Sequence, residues 1–307
     1  MQSSTTDRSI LVVAHTGRDE SLQAAILVLE RLIRSGARAV LCAEDEVGIV
    51  AAAPWLDNTA VLGRDVLIED VELVFVLGGD GTILRAAEIA RGGSAPLLGV
   101  NLGHVGFLAE SERDDLDAAV VRGLARDYTV EERMTLSVRV KVDGETVYET
   151  WALNEATVEK ASRERMLEVV IGVDGRPLSS FGCDGVVVST PTGSTAYAFS
   201  GGGPVVWPGL EAMLLVPLSA HALFARPLVV GPDSSFAIEV KRRTDGVGVL
   251  WADGRRTYEL APGARVVVKR SDVPVRLARL HDAPFTDRLV QKFGLPVRGW
   301  RGSAEVD

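Results

Sequence analysis

The spacing of apolar residues changes near Tyr128, and this change constrains the fold more than any other feature of the chain. Before it, short apolar runs alternate with stretches in which apolar residues recur every three to four positions. This alternation predicts strands and helices in turn, and therefore a parallel, doubly wound α/β sheet. After it, short runs of alternating polar and apolar residues predict a β-rich domain. We expect two domains, residues 1–128 and 129–278, with residues 279–307 returning to the first.

The first domain is predicted to contain at least four strands and two helices. A helix with Leu22, Ala25 and Leu29 on one face follows the first strand and ends at Gly36. A second helix, over residues 82–91, follows an apolar strand and a glycine-rich turn. The predicted strands cover residues 9–14, 37–42, 73–77 and 97–100.

Asp-Gly pairs punctuate the second domain. Those at Asp143, Asp174 and Asp253 lie between alternating runs, where Asp-Gly is a strong signal for a two-residue hairpin turn. A hairpin turn is a sufficient explanation for these three pairs. Asp80 and Asp184 differ, because each opens a glycine-rich cluster.

The end of the chain predicts one further helix, over residues 284–293. Phe285, Leu289, Val290 and Phe293 fall on one helical face. Such an apolar face requires burial, and we expect the helix to pack back on the first domain.

Composition excludes several classes of protein. The chain has 307 residues and a formal net charge of −9, which argues against the basic surface that nucleic-acid binding requires. Cys42 and Cys183 are too few for a disulfide framework or a zinc cage. No apolar run approaches the ~20 residues of a membrane span, and the chain opens without a signal peptide. We expect a cytoplasmic protein that binds neither nucleic acid nor membrane.

The sharpest chemical signal is Gly78-Gly79-Asp80-Gly81-Thr82, between a predicted strand and a helix. Glycines allow close approach of a ligand, and a helix N-terminus attracts anions, so Gly78, Gly79, Gly81 and Thr82 predict a phosphate loop. The loop lacks the Gly-Lys pair of a Walker motif, and Leu84 breaks the G-x-G-x-x-G pattern. Asp80 is a candidate proton acceptor or metal ligand, and its alternative is a helix cap.

The second cluster spans residues 183–204 and is rich in hydroxyl groups and glycine. Hydroxyls suit ribose and base edges, and the ring of Tyr197 offers a stacking surface. The alternative is a polar surface loop. Asn154-Glu155 is a weaker signal, since a solvated loop pair is the more common explanation of such a pair. The segment 101–107, including His104, follows a predicted parallel strand, where doubly wound folds bind ligands.

Together these motifs resemble the NAD kinase family over essentially the whole chain. The matching blocks are GGDGT (78–82), NLGHVGFLAE (101–110), NE (154–155) and DGVVVSTPTGSTAYAFS (184–200). The final segment, 283–302, resembles the actinobacterial branch. The first block is shared with lipid kinases and phosphofructokinases, whereas STPTGSTAY with NE upstream is specific to this family.

The resemblance implies transfer of the γ-phosphoryl of ATP to the 2′-hydroxyl of the adenosine ribose of NAD, giving NADP. Inorganic polyphosphate is an alternative donor in some bacterial members. Mg²⁺ is the implied cofactor, and we expect it to arrive with ATP because the sequence offers no dedicated carboxylate cage. The implied fold is a Rossmann-like domain joined to a β-sandwich, and the implied assembly is a homodimer or homotetramer.

The resemblance also assigns roles to residues. Asp80 is implied to be the catalytic proton acceptor, with Gly81 beside it and Arg85 facing phosphates. Asp184 is implied to lie near the nicotinamide end. The remaining implied NAD-binding residues are Phe107, Asn154, Glu155, Arg165, Thr192, Thr195, Ala196, Tyr197 and Ser200. Two positions depart from the family pattern, with Gly182 in place of an arginine and Gly201 in place of an alanine.

Two other interpretations remain open from the residues alone. A lipid kinase of the diacylglycerol kinase type would share the glycine loop, but no basic amphipathic stretch suggests a membrane face. A non-catalytic nucleotide sensor would gain nothing from a carboxylate beside phosphates.

Overall fold

The structure is a computed structural model, and it describes residues 8–15, 17–56, 58–102, 106–109, 111–112, 115–162, 166–242, 247–281 and 284–297. The chain divides into two compact units. The first comprises Met1–Glu132 and Arg276–Asp307, and the second comprises Arg133–Val275.

Twenty strands and six α-helices occur in the described residues. The strands are β1 (Ser9–Ala14), β2 (Arg38–Leu41), β3 (Ala60–Val61), β4 (Val71–Leu77), β5 (Leu97–Asn101), β6 (Ser111–Glu112), β7 (Thr129–Arg133), β8 (Leu136–Val142), β9 (Glu145–Ala152), β10 (Glu155–Lys160), β11 (Leu167–Val173), β12 (Arg176–Cys183), β13 (Gly185–Ser189), β14 (Met213–Leu218), β15 (Leu228–Val230), β16 (Ser235–Val240), β17 (Gly248–Ala252), β18 (Arg256–Leu260), β19 (Arg265–Arg270) and β20 (Val275–Arg279). The helices are α1 (Asp19–Arg34), α2 (Ala43–Ala52), α3 (Asp80–Ile89), α4 (Leu116–Ala125), α5 (Tyr197–Ser200) and α6 (Phe285–Phe293).

The first unit is built on one eight-stranded sheet. Its order is β3-β2-β1-β4-β5-β20-β7, with β6 paired to β5. The strands from β3 to β5 pair in parallel, as the alternating pattern predicts. All six residues of β1 are buried, which explains why this strand is a continuous apolar run rather than an alternating one. The predicted doubly wound fold is confirmed.

Two helices of this unit have no counterpart among the predicted elements. Helix α2 buries only Asp45 and Ile49, so it carries no apolar stripe that a periodicity search could detect. Helix α4 packs through small residues such as Ala119 and Gly123. A Cβ on Gly123 would lie 2.6 Å from the ring of Phe75, so this glycine permits close packing on the sheet.

The end of the chain returns to the first unit as a strand and then a helix. Strand β20 lies between β5 and β7 and pairs in parallel with β5, with Leu277 opposite Leu97. Helix α6 follows, and its Leu289 is buried. The predicted C-terminal helix is therefore confirmed, while the strand that precedes it was not predicted.

The second unit is a sandwich of two six-stranded antiparallel sheets. Their orders are β15-β14-β13-β10-β17-β18 and β12-β11-β16-β19-β8-β9. Side chains from both sheets share one buried core, which includes Val158 and Leu250 from one sheet and Val138 and Phe236 from the other. The predicted β-rich domain is confirmed as a β-sandwich.

The three predicted hairpins form at their Asp-Gly pairs. Asp143, Asp174 and Asp253 have φ values of 50°, 50° and 53°, and the glycine after each also has a positive φ. This left-handed pair is the conformation of the turn that matches the twist of the flanking strands. None of the helices in the described ranges is both long and apolar enough to span a membrane.

Candidate functional site

The glycine loop joins the end of β4 to the start of α3. Gly78 has a φ of 152°, and a Cβ there would lie against the Thr82 side chain. Gly79 and Gly81 differ, because among the described residues no heavy atom outside their own chain neighbours and helix backbone lies within 4 Å of where their Cβ atoms would be. Packing within the protein therefore does not require glycine at these two positions. The open space over the first turn of α3 suits a ligand that approaches the backbone, as a phosphate would.

Asp80 is the first residue of α3, and backbone N–H groups hold its carboxylate. The N–H of Phe107 donates to Oδ2 and the N–H of Leu108 donates to Oδ1, each at 3.1 Å. The carboxylate is therefore bonded to another segment, and the N-terminus of α3 has no side-chain cap bond, so the helix-cap explanation of Asp80 does not hold. Each oxygen keeps a second acceptor site for a ligand.

Gly106 makes this approach possible. A Cβ at this position would collide with the Asp80 carboxylate. Two sequence blocks that are 26 residues apart therefore form one local structure, in which a glycine leaves room for the carboxylate and the next two residues bind it. Residues 103–105, including His104, lie outside the described ranges.

Arg85 lies one turn beyond the loop, and acidic groups of the same unit bind its guanidinium. Its Nη2 lies 2.9 Å from Glu44 Oε2 and 3.1 Å from Asp45 Oδ1, and Nη1 donates to the Ala14 carbonyl at 3.1 Å. Burial raises the pKa of Asp45, and the bond from Arg85 opposes this increase. A role for Arg85 at ligand phosphates stays a prediction, since it would have to compete with these partners.

The backbone and the ring of Phe107 make contacts with different parts of the protein. Its N–H holds Asp80, and its buried ring lies 5.9 Å from that of Phe285 and 5.8 Å from that of Phe293. The ring is therefore a packing group against α6. Arg165, another residue to which the resemblance assigns NAD binding, lies outside the described residues.

In the second unit, Asn154 and Glu155 lie at the start of β10, where Asp253 holds their backbone. The Asp253 carboxylate accepts N–H bonds from Leu153 at 2.9 Å, Asn154 at 2.7 Å and Glu155 at 3.3 Å. Arg256 Nη2 binds the same carboxylate at 2.8 Å. The sequence pattern predicts only a hairpin turn for Asp253, and this interpretation was incomplete. Asp253 also fixes the backbone of the Asn-Glu pair.

Arg256 is itself held by an aromatic ring. Its guanidinium lies 4.7 Å from the ring centre of Trp151, within the range of a cation–π contact. The order of contacts is therefore Trp151, Arg256, Asp253 and then the N–H groups of residues 153–155. No pattern around Asp253 in the sequence indicates this role, because its main partners are about 100 residues away.

The Glu155 carboxyl group is buried and only partly bonded. The backbone N–H of Tyr197 bonds to it, but Oε2 has no hydrogen-bond partner among the described residues. Burial raises the pKa of Glu155 to about 8, and the nearby Asp253 carboxylate adds to this effect. A buried acceptor without a partner is costly, so this oxygen is a candidate ligand contact.

Three of the hydroxyls in the second cluster are used inside the protein. Ser189 Oγ and Thr190 Oγ1 donate to the carbonyls of Asn154 and Leu153, at 3.1 and 2.6 Å. Ser194 Oγ donates to the Pro191 carbonyl at 2.7 Å and accepts the N–H of residue 206. All three side chains are fully buried. The interpretation of this hydroxyl-rich run as a set of ligand contacts was therefore wrong for these three residues, which shape the loop instead.

Gly193 joins this loop to the Asn-Glu pair. A Cβ at Gly193 would overlap the Asn154 carbonyl, so only glycine lets the two segments meet. The other predicted site residues of this loop differ in exposure. Thr192 is buried beside Arg133, Thr195 and Ala196 are half-buried, and Tyr197 and Ser200 are exposed.

Asp184 lies just before β13 with an exposed side chain. It forms an ion pair with Lys160 at 2.5 Å, and this bond lowers its pKa. Nothing in the described residues groups three or more His, Cys, Asp or Glu side chains in a way that could hold a metal ion.

Two sequence-family profiles match the chain. Residues 10–128 match the ATP-NAD kinase N-terminal domain, and residues 153–280 match the ATP-NAD kinase C-terminal domain. The NAD kinase of Leifsonia xyli is 69% identical over 295 residues, which cover 96% of this chain and 97% of that protein. The NAD kinase of Thermobifida fusca is 60% identical over 306 residues, which cover 98% of this chain and 93% of that protein.

Solved structures agree on the fold. A yeast NADH kinase crystallised with NADH superposes with a TM-score of 0.84 at 21% identity, covering 96% of this chain and 90% of the other. An NAD kinase from Archaeoglobus fulgidus in complex with ATP gives a TM-score of 0.70 at 23% identity, covering 94% and 100%. The fold is thus that of these solved structures, and the two profiles with the close sequence relatives lead to one conclusion: the chain belongs to the NAD kinase family.

Proposed function

We propose that Asp80 is the general base of the family's reaction in this chain, the transfer of the γ-phosphoryl of ATP to the 2′-hydroxyl of the adenosine ribose of NAD. The observation that carries the proposal is the position of its carboxylate. Two N–H bonds hold it beside the open backbone of Gly79 and Gly81, at the N-terminus of α3. A ribose hydroxyl is a weak nucleophile, and a carboxylate within hydrogen-bond reach can accept its proton as phosphorus is attacked.

The glycine loop supplies the other half of the chemistry. Phosphoryl transfer depends mainly on positioning and on stabilising negative charge. The N–H groups of Asp80 and Gly81, at the start of α3, have no backbone carbonyl partner among the described residues, whereas the N–H of Thr82 donates to the Gly79 carbonyl at 2.9 Å. The helix dipole is positive at this end. Gly78, Gly79, Gly81 and Thr82 are therefore proposed to bind phosphate oxygens.

We assign the adenosine end of NAD to the second unit. Glu155 Oε2, which is buried and has no hydrogen-bond partner among the described residues, is proposed to accept a hydrogen bond from a ribose hydroxyl, and Asn154 to bind the base or ribose beside it. The exposed ring of Tyr197 is proposed to stack on a planar group. The resemblance supports five further NAD-binding residues, which complete the proposed site: Thr192, Thr195, Ala196, Ser200 and Asp184.

Mg²⁺ is the proposed metal, and the nucleotide phosphates would hold it. Mg²⁺ is commonly bound through substrate phosphates with only one or two carboxylates, so a site without a carboxylate cluster among the described residues fits it. Its contribution, when bound, is to neutralise charge on the transferred phosphoryl group. Polyphosphate as a second donor and a cytoplasmic location are proposed from the resemblance.

A homodimer or homotetramer is also proposed. Trp207, Leu210 and Phe224 are exposed apolar side chains of the second unit, and a subunit interface would bury such groups. Sedimentation analysis of the purified chain measures the state directly.

Asp80→Asn tests the proposed base. We expect turnover to fall by about 10²-fold or more, the usual contribution of a general base, while NAD affinity stays within about tenfold. NADP formation from NAD and ATP is followed through a coupled dehydrogenase. Because an amide can accept only one of the two N–H bonds now made by the carboxylate, NAD binding is titrated on the same variant to detect any change in the loop.

Asp143→Asn is the matched control. It changes another Asp-Gly pair, whose aspartate is exposed and pairs with Arg242 in the second unit. This variant should keep full turnover. If Asp80→Asn kept more than a tenth of wild-type kcat, Asp80 would not be the base.

A further inference from the structure

We propose that Arg288 of α6 is a positioning residue for Asp80 and acts through the backbone of residues 107–109. The inference rests on the proposed role of Asp80 as base. On this proposal, the C-terminal helix positions the base as well as covering apolar surface.

Arg288 binds the carbonyl side of the segment that holds Asp80. Its Nη1 donates to the Phe107 carbonyl at 2.9 Å and to the Ala109 carbonyl at 3.1 Å. The N–H groups of Phe107 and Leu108 donate to Asp80. The segment therefore connects a guanidinium on one side with a carboxylate on the other.

One peptide group makes both contacts. The carbonyl of Phe107 and the N–H of Leu108 belong to the same planar amide, which accepts from Arg288 at 2.9 Å and donates to Asp80 Oδ1 at 3.1 Å. A cation at the carbonyl oxygen polarises the amide and strengthens its N–H as a donor. The guanidinium of Arg288 thus acts on the carboxylate of Asp80 without touching it.

Side chains, and not a regular backbone ladder, bind the carbonyls of this segment. Residues 106–109 belong to neither a helix nor a strand, so no regular ladder fixes their carbonyls. Arg279 Nη1, at the end of β20, donates to the middle carbonyl, that of Leu108, at 3.2 Å. Arginines from the C-terminal return therefore bind three consecutive carbonyls, those of residues 107, 108 and 109.

The ring of Phe107 adds a second constraint from the same helix. It packs between Phe285 and Phe293, which lie at the two ends of α6 and flank the turn that carries Arg288. Rotation of the 107–108 peptide would break the bond to Arg288 and move the ring from these two neighbours. Orientation of a catalytic group to within about 1 Å can be worth ~10² in rate, so this restraint is large enough to matter.

The test compares Arg288→Met with Arg288→Lys. Methionine keeps much of the side-chain bulk but donates no hydrogen bond. We expect kcat to fall by about 10- to 100-fold, with KM for NAD and for ATP within about threefold of wild type. Because a single nitrogen of Arg288 serves both carbonyls, the lysine ammonium can replace it, and Arg288→Lys should recover kcat to within about fivefold.

Arg34→Met is the matched control. Arg34 is an exposed arginine on α1 of the same unit, with one ion pair to Glu30. It should leave kcat and both KM values unchanged. Thermal unfolding is measured on every variant, and if Arg288→Met does not fold, Arg288→Gln takes its place.

The double variant separates this inference from the proposed role of Asp80. If Arg288 acts through Asp80, adding Arg288→Met to Asp80→Asn should cause no further loss of the residual turnover. Fully additive losses, or an Arg288→Met variant with wild-type kcat, would overturn the inference and leave the base assignment untouched. High turnover in Asp80→Asn alone would instead overturn the base assignment.

Discussion

Three acidic residues in this protein have different electrostatic surroundings, although the sequence presents each simply as an acid in a short polar motif. Asp80 is half-buried with two N–H bonds, and Asp253 is buried with three N–H bonds and an arginine. Glu155 is buried with one oxygen that has no partner among the described residues. Burial raises the pKa of Glu155 to about 8, because little compensates for it.

This raised pKa predicts how stability depends on pH. In the folded chain Glu155 keeps its proton up to about pH 8, whereas in the unfolded chain it loses the proton near its ordinary value of 4.5. The folded state therefore binds more protons between these values, and this contribution to stability is full below about pH 4.5 and declines as pH rises towards 8.

Glu155→Gln should remove that decline, because an amide does not ionise. Relative to wild type, the variant should gain about 3 to 5 kcal/mol in the free energy of unfolding between pH 4.5 and pH 8.5. Urea unfolding at both pH values, without nucleotide, measures the difference. Glu149→Gln, an exposed glutamate paired with Arg139, is the control and should show no such change. Equal pH dependence in wild type and Glu155→Gln would contradict the raised pKa.

Among the secondary-structure elements, α6 is short, but it contacts both the ring and the backbone of Phe107. It has nine residues, of which Leu289 is buried, while Phe285 and Phe293 pack on Phe107. The same helix carries Arg288, which binds the backbone of the segment that holds Asp80. The apolar contacts and the proposed positioning of Asp80 thus involve the same helix.

Removing the chain after Leu280 tests the helix as a whole. The loss of these apolar contacts should lower the free energy of unfolding by about 3 to 5 kcal/mol, given ~1.5 to 3 kcal/mol for each fully buried side chain. NADP formation should be lost as well, although the deletion removes no residue proposed to touch a substrate.

A chain ending at Val297 is the control for this deletion, because it keeps α6 and removes only the residues beyond it. Melting curves and the coupled assay are compared for the two truncations. A chain ending at Leu280 that melts within a few degrees of wild type and still makes NADP would show that α6 is dispensable.

The whole molecule is organised by a chain that leaves its first unit and later returns to it. The second unit is one continuous segment with its own buried core, whereas the first needs β20 between β5 and β7 to complete its sheet. Membership of the NAD kinase family decides against the lipid kinase and sensor interpretations that the glycine loop alone left open.

This organisation predicts different behaviour for the two parts expressed separately. Residues 133–275 should fold alone and unfold cooperatively, because their sandwich is closed by contacts within the segment. Residues 1–132 should not, because β20 would be missing from the interior of the sheet. Circular dichroism during heating distinguishes the two. Neither part should make NADP, since Asp80 lies in one and Glu155 in the other. Cooperative unfolding of residues 1–132 would contradict the prediction.

Local patterns were enough to predict the two fold classes, the glycine loop, the hairpin turns and the C-terminal helix. Each depends on neighbouring residues: an apolar repeat, a cluster of glycines between a strand and a helix, or an Asp-Gly pair between strands. Helix α2 was missed because it has no apolar stripe, and β20 because one short apolar run does not say which sheet it will join.

Contacts between distant segments could be decided only by the tertiary structure. From the sequence, Asp253 is only a turn residue. In the structure, the pairing of β17 with β10 brings its carboxylate to the N–H groups of residues 153–155. The bond from Arg288 to the Phe107 carbonyl joins residues that are 181 positions apart, and it forms only because α6 packs on residues 107–109. Hydrogen bonds and desolvation depend on distances of a few ångströms, and a linear sequence does not specify which remote groups will come that close.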